Sequence, residues 1–238
     1  MSVEGGHMRT FLFAAATALT LAAPANAASR NYGVSGFTKI RVDGPFKVTV
    51  ATGVAPFAKA SGATVALDRV AVDVRGDTLV VHASTSSWGG YPGSDTGLVE
   101  VTIGTHDLSN AWVNGAGSLA IDQVKGLSFA LSVQGAGSAE IGDVRVDQMN
   151  VGLVGTANAK LAGQAKKLTA LVRGISSLDA VALRTNDAKV GAEGAATVNA
   201  NVSNTVSVDA NGTATIRFAG RPSCTLKVKG STSVSGCR

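Results

Sequence analysis

The sequence predicts an all-β chain, wound as a single-stranded right-handed parallel β-helix whose coils are 18–20 residues long. Three observations carry that expectation. A glycine recurs at Gly115, Gly135, Gly155, Gly174, Gly194, Gly212 and Gly230, with separations of 20, 20, 19, 20, 18 and 18 residues. Apolar residues fall on even offsets from each glycine, on both sides. Charges on one odd offset alternate in sign from repeat to repeat.

A fixed period near 20 is the mark of a solenoid, in which each repeat is one turn stacked on the next. Two residues before the glycine stand Val113, Val133, Leu153 and Val172; four after it stand Leu119, Ala139, Ala159 and Leu178. Period 2 belongs to a strand with one buried face, whereas a helix would need offsets of three and four. Each turn therefore carries two strands flanking a corner at the glycine, which accepts φ > 0 and close backbone approach. A third, less regular strand or corner fits near Val124, Val144, Leu183 and Val202. Odd offsets face out. One such column is Ser118, Ser138, Asn158, Ser177, Thr197, Thr215 and Ser233, a ladder of small groups able to hydrogen-bond along the stack. The next is Ala120, Glu140, Lys160, Asp179, Asn199 and Arg217, whose alternating signs avoid like-charge neighbours. Consecutive turns run the same way, so the strands pair in parallel, and right-handed crossover is strongly favoured. Spacings of 19 and 20 break the beat of a left-handed hexapeptide helix, and the nonapeptides of a calcium-binding roll are absent.

In chain order, residues 1–27 read as a secretory signal with Met8 as the start: Arg9, an apolar run Phe11–Leu21 too short for a membrane span, then Ala25-Asn26-Ala27 as cleavage site. Residues 28–238 form one β-helix domain, with 36–104 as N-terminal cap and first coils and 105–238 as regular coils. Ser29–Ser35 is a polar lead-in. Gly36–Val50 repeats the even-offset pattern around Gly44, as a first coil or its cap. Thr52–Gly62, rich in Gly, Pro and Ala, reads as a connection. Val65–His82 holds two alternating runs joined at Arg75-Gly76-Asp77, where Gly-Asp signals a hairpin; the same tripeptide is one that some host adhesion receptors bind. Ala83–Gly97 is irregular yet carries Trp88 and Tyr91, which either contact sugars and partner surfaces or fold back as a cover. Val99–Ile103 is a strand leading into the regular coils.

The two cysteines, Cys224 and Cys237, both lie in the last turns. Export would put them in an oxidising compartment and favour a disulfide pinning the C-terminal cap; two buried free thiols are the alternative. The net charge is +5 (21 Lys and Arg against 16 Asp and Glu), with only Lys166 and Lys167 adjacent. That is a solvated surface rather than a nucleic-acid footprint.

Gly36–Thr49, Asp73–Val81, Val99–Ile103 and the G-A-G-S turns at Gly115 and Gly135 resemble the bacterial exported "putative auto-transporter adhesin, head GIN domain" family, from about Phe37 to Gly236. The resemblance implies one right-handed β-helix in the envelope or outside the cell and no established enzymatic activity. The C-terminal outer-membrane barrel of the true autotransporters is not expected here, since the sequence ends in Gly236-Cys237-Arg238.

Parallel β-helices also include polysaccharide lyases and hydrolases, whose chemistry would fall to outward residues. Asp122, Asp143, Asp147, Lys125 and Arg145 fall together on the third side of the first two coils, as solvated pairs or as an acid–base cluster. His82 and His106 lack partners at metal-ligand spacing, and G-x-G recurs once per coil without a following helix. The sequence-level expectation is an exported, non-catalytic β-helix that works by surface binding, as an adhesin-like protein or envelope scaffold. No cofactor, metal or catalytic residue is expected. The partner would be a polysaccharide or an envelope or cell-surface protein; nucleic acid and a transmembrane segment in the mature chain are not expected. A carbohydrate-active β-helix enzyme is the alternative. Location is periplasmic or extracellular.

Overall fold

All seven anchor glycines turn with positive φ, between +82° at Gly230 and +121° at Gly212, in the computed structural model. The structure describes Ser2, residues 28–84 and residues 99–238. The rest of the expected leader, and Trp88 and Tyr91, lie outside the described residues.

The corners stack directly on one another. The N–H of Ala136 donates to the Gly115 carbonyl at 2.9 Å, that of Thr156 to Gly135 at 2.9 Å and that of Ile175 to Gly155 at 2.8 Å. Such close stacking leaves no space for a side chain. A Cβ on Gly155 would lie 2.7 Å from the Gly135 carbonyl oxygen. Two residues on, the chain turns inward beneath the preceding corner, and Gly117, Gly137, Ala157 and Ser176 occupy that position. Ala157 and Ser176 are fully buried there, and the Ser176 hydroxyl accepts from the Ala157 N–H and lies within donating reach of the Arg173 carbonyl at 2.9 Å and the Gly155 carbonyl at 3.1 Å. The G-A-G-S motif thus joins a left-handed corner to a position that takes only small residues.

From the N-terminus the strands are β1 (Ala28–Tyr32), β2 (Lys39–Asp43), β3 (Lys47–Thr52) and β4 (Phe57–Gly62), then a one-turn helix α1 (Thr64–Leu67). Next come β5 (Val70–Arg75), β6 (Thr78–Ala83), β7 (Glu100–Thr105) and β8 (Asn110–Gly115). The long coils are β9 (Ser118–Gly135), β10 (Ser138–Gly155), β11 (Asn158–Gly174), β12 (Ser177–Gly194) and β13 (Thr197–Gly212). The chain closes with β14 (Thr215–Ala219), β15 (Ser223–Gly230) and β16 (Ser233–Ser235). Strand makes up 75% of the structure and helix 2%, in a β-solenoid of about six turns, so the all-β parallel expectation holds.

β8 to β16 stack in parallel and in the expected register: Ser118, Ser138, Asn158, Ser177, Thr197, Thr215 and Ser233 are successive partners. Val113, Val133, Leu153, Val172 and Ala192 line the interior and are fully buried. Burying each valine or leucine contributes about 1.5–3 kcal/mol. The third-side residues Val124, Val144, Leu183 and Val202 are buried too.

Four expectations are corrected. The polar lead-in is strand β1, and the connection contains strand β4; they pair antiparallel with each other, and β4 pairs antiparallel with β7. Only Ala58 and Ala60 bury β4, too little apolar signal to announce a strand. The first coils are stacked out of sequence order, with β2 between β6 and β8 and β3 between β7 and β9. β6 and β7 therefore cover β2 and β3 although they follow them in the chain. The hydroxyl ladder is in register, but among the described residues no side-chain hydrogen bond links one rung to the next. Finally, Cys224 and Cys237 form the expected disulfide, but the tail does not cover the last coil: Leu226 is 46% and Val228 40% exposed.

Candidate functional site

Three outer faces are available, and the sequence decides what each presents. On the third side, coils of 18, 17, 18 and 16 residues must stack on one another. The register slips there, between Ile141 and Val144, between Lys160 and Gly163, and between Ala180 and Arg184. Across β10 to β13 this side holds an open trough of about 570 Å³. One wall is Arg145, Gln164, Arg184 and Asn201, which are successive register partners. The other is Asp147, Lys166, Asn186 and Ser203. The floor is Val146, Ala165 and Thr185, all buried. The Thr185 hydroxyl donates to the Asn201 carbonyl at 2.8 Å, and that of Ser203 to the Thr185 carbonyl at 3.3 Å, which ties the last two coils together at the floor.

The carboxylates singled out from the sequence are brought to this side but are already engaged. Asp122 accepts from the Thr52 N–H at 3.0 Å, the Thr52 hydroxyl at 3.1 Å and the Gln123 N–H at 2.6 Å, closing the end of β3. Asp143 pairs with Arg145 at 2.8 Å and Asp147 with Lys166 at 2.9 Å. Lys125 is the register partner of Arg145, one coil before the trough. Arg184 makes no ion pair among the described residues.

The face after the corner carries the charge column. Lys160 pairs with Glu140 at 3.3 Å along a smaller hollow of about 410 Å³ lined by Ser118, Ser138 and Asn158. The face before the corner carries Trp112, which sequence analysis passed over although its odd offset already placed it outside. Trp112 is half-buried between Arg41 and Ser132 in register, with Gly152 one coil further. Asn110, Asn114 and Gln134 flank it on the same outward face, and Asn150 stands two coils on.

Arg75-Gly76-Asp77 is the β5–β6 hairpin turn. Lys39 holds the Asp77 carboxylate at 2.9 Å and, with the Thr78 hydroxyl, keeps its pKa below the ordinary carboxylate value. Arg75 reaches instead toward Asp73 and His82. His82 lies 2.8 Å from Asp73 and 2.9 Å from the Ala83 carbonyl. Among the described residues no group of three His, Cys, Asp or Glu is placed to hold a metal ion, and no helix is long and apolar enough to cross a membrane.

The family model described as "Putative auto-transporter adhesin, head GIN domain" matches residues 36–222. No curated protein matches the chain. Among solved structures, one named a putative adhesin from Bacteroides fragilis superposes with a TM-score of 0.80 at 19% identity, covering 88% of this chain and 96% of its own. One from Parabacteroides distasonis, named a putative lipid binding protein, has a TM-score of 0.68 at 16% identity over 89% and 96%. One from Parabacteroides merdae, named a putative adhesin, has a TM-score of 0.67 at 13% identity over 89% and 96%. At these identities the likeness concerns the fold alone.

Proposed function

The chain belongs to the "Putative auto-transporter adhesin, head GIN domain" family, and on that premise we propose that it is an exported, non-catalytic solenoid that acts by holding a surface polymer or envelope partner against its outer faces. One observation carries the proposal. The third-side trough is lined by Arg145, Lys166, Arg184 and side-chain amides, while Asp122, Asp143 and Asp147 serve as ion-pair partners or strand caps. Stacked coils with a packed interior supply a stiff scaffold, which limits the entropy lost on binding.

Residues 1–27 are proposed to direct export and to be removed, which would place the new amino terminus at Ala28, the first residue of β1. Trp88 and Tyr91 are proposed to add contacts, together with Trp112. The names of the solved neighbours, adhesin and lipid binding, support a surface role and belong to those proteins.

The test is binding of the exported chain to a glycan array and to envelope fractions of the native organism. Retention by one of them, weakened by Trp88→Ala or Trp112→Ala with the fold intact, is expected. No retention by any glycan or envelope fraction would sink the proposal. Turnover of acidic polysaccharides that is lost on Asp143→Asn would favour the enzyme reading instead. Asp122→Asn is a poor probe of catalysis because it also uncaps Thr52.

A further inference from the structure

We propose that the trough across β10 to β13 is a binding groove for an anionic polysaccharide, a polyuronate laid along the solenoid axis. The proposal rests on the surface-binding reading and names the ligand class of that same site.

Direction comes first. The trough runs from coil to coil, so its repeat is the spacing of paired strands, about 4.8 Å. One coil therefore meets roughly one pyranose residue of an extended chain. The charge follows the same beat. β10 supplies Arg145, β11 supplies Lys166 and β12 supplies Arg184, one cation per coil. These cations alternate walls: Arg145 and Arg184 share a register column, and Lys166 stands across from them. In an extended polyuronate, successive sugars present their carboxylates on alternate sides, which is the pattern the groove would meet.

The balance of charge favours an anion: among the described residues three cations and one carboxylate, Asp147, line the trough. Arg184 has no ion pair among the described residues. The side chains of Arg145 and Lys166 are 58% and 72% exposed in their pairs with Asp143 and Asp147. Exposed pairs are weak and exchange readily, so a ligand carboxylate can take the place of either partner. The guanidinium fork of Arg145 or Arg184 matches a carboxylate with two parallel hydrogen bonds. Gln164 and Asn186 line the walls with side-chain amides that make no hydrogen bond among the described residues, ready for sugar hydroxyls. Among the described residues no aromatic lines the trough, which argues against single-stranded nucleic acid, whose bases stack on aromatic platforms. A concave trough also fits a chain better than the plane of a bilayer.

The experiment measures binding of the exported chain to polygalacturonate, to its methyl ester and to phosphatidylglycerol vesicles, in low and high salt. The free acid should bind and the ester bind weakly, with affinity falling as salt screens the charges. Arg184→Gln should weaken binding roughly tenfold, as for loss of one charge-assisted contact. R145Q/K166Q/R184Q should abolish binding, while K227Q/K229Q, on β15 just before the Gly230 corner and outside the trough lining, should change it by less than about twofold. Circular dichroism confirms that each variant is folded. Equal binding of acid and ester, binding to vesicles alone, or full polyuronate binding by the triple variant would each overturn the groove. If the wild type binds other envelope glycans but not polygalacturonate, the groove falls and the surface-binding reading stands. If the wild type binds no glycan or envelope material, both fall.

Discussion

Replacing Gly155 by alanine tests the corner directly. Its φ is +101°, where a residue with a side chain is strained by about 1–3 kcal/mol. The added Cβ would stand 2.7 Å from the Gly135 carbonyl oxygen and 3.3 Å from its Cα, both backbone atoms of the coil below. Relief requires the coils to part, which stretches the 2.9 Å bond from the Thr156 N–H to that same carbonyl. A weakened backbone bond adds about 1 kcal/mol. The total is about 2–4 kcal/mol, or roughly 5–15 °C in melting temperature for a chain of this size. Two controls separate the causes. Gly76 has φ +64° with nothing within 4 Å of a built Cβ, so Gly76→Ala should cost strain alone, about 1 kcal/mol. Gly36 has neither a positive φ nor a neighbour, so Gly36→Ala should be neutral or stabilise by up to about 1 kcal/mol. Thermal melts followed by circular dichroism give the order. Gly155→Ala melting with Gly36→Ala would refute the stacked corner, and melting with Gly76→Ala would refute its steric part.

Glu140→Lys places a second cation beside Lys160 and should lower the melting temperature more than Glu140→Gln, by up to about 1 kcal/mol of stability; equal melts would contradict the register. Replacing Cys224 and Cys237 by serine should cost about 3 kcal/mol, read as faster proteolysis and lower melting of the last coils, with no titratable thiol in the unreduced wild type. Asp77 is held below the ordinary carboxylate pKa by the hydrogen bond from Lys39. In Asp43, burial raises the pKa, but hydrogen bonds from Arg41 and Asn114 outweigh it and the net direction is also downward. A depressed folded pKa contributes stability above the unfolded value near 3.9 and loses it as pH falls through the folded value. Asp77→Asn should therefore lower the melting temperature at pH 7, with the gap closing near pH 2. A gap unchanged between those pH values would contradict the Lys39 contact.

The regular coils were legible because one constraint repeats: a corner without a side chain, flanked by inward residues at even offsets. Gly115 to Gly230 obey it, and so does Gly44. β1 and β4 were not legible, since they pair antiparallel over 34 residues, from Ala28 to Gly62, and bury little beyond two alanines. The out-of-order layer was hidden for a related reason. The pattern around Gly44 marks a coil, but not which coil becomes its neighbour. The trough was half visible. Offset ten linked Lys125 to Arg145, yet Gln164, Arg184 and Asn201 join that column at offsets nine, ten and seven, because the coils there lose residues. Trp112 was available from its outward offset and was overlooked beside the more irregular loop holding Trp88 and Tyr91.

The central claim, that period-2 side chains alternate between a dry tube and open water, is tested most directly by paired aspartates. Val133 is fully buried between Val113 and Leu153, and its neighbour Gln134 is exposed. Val133→Asp should abolish cooperative unfolding, because an unpaired carboxylate in that interior costs several kcal/mol. Gln134→Asp should melt within a few degrees of the wild type. A folded Val133→Asp protein with wild-type melting, or equal damage from both substitutions, would contradict the account.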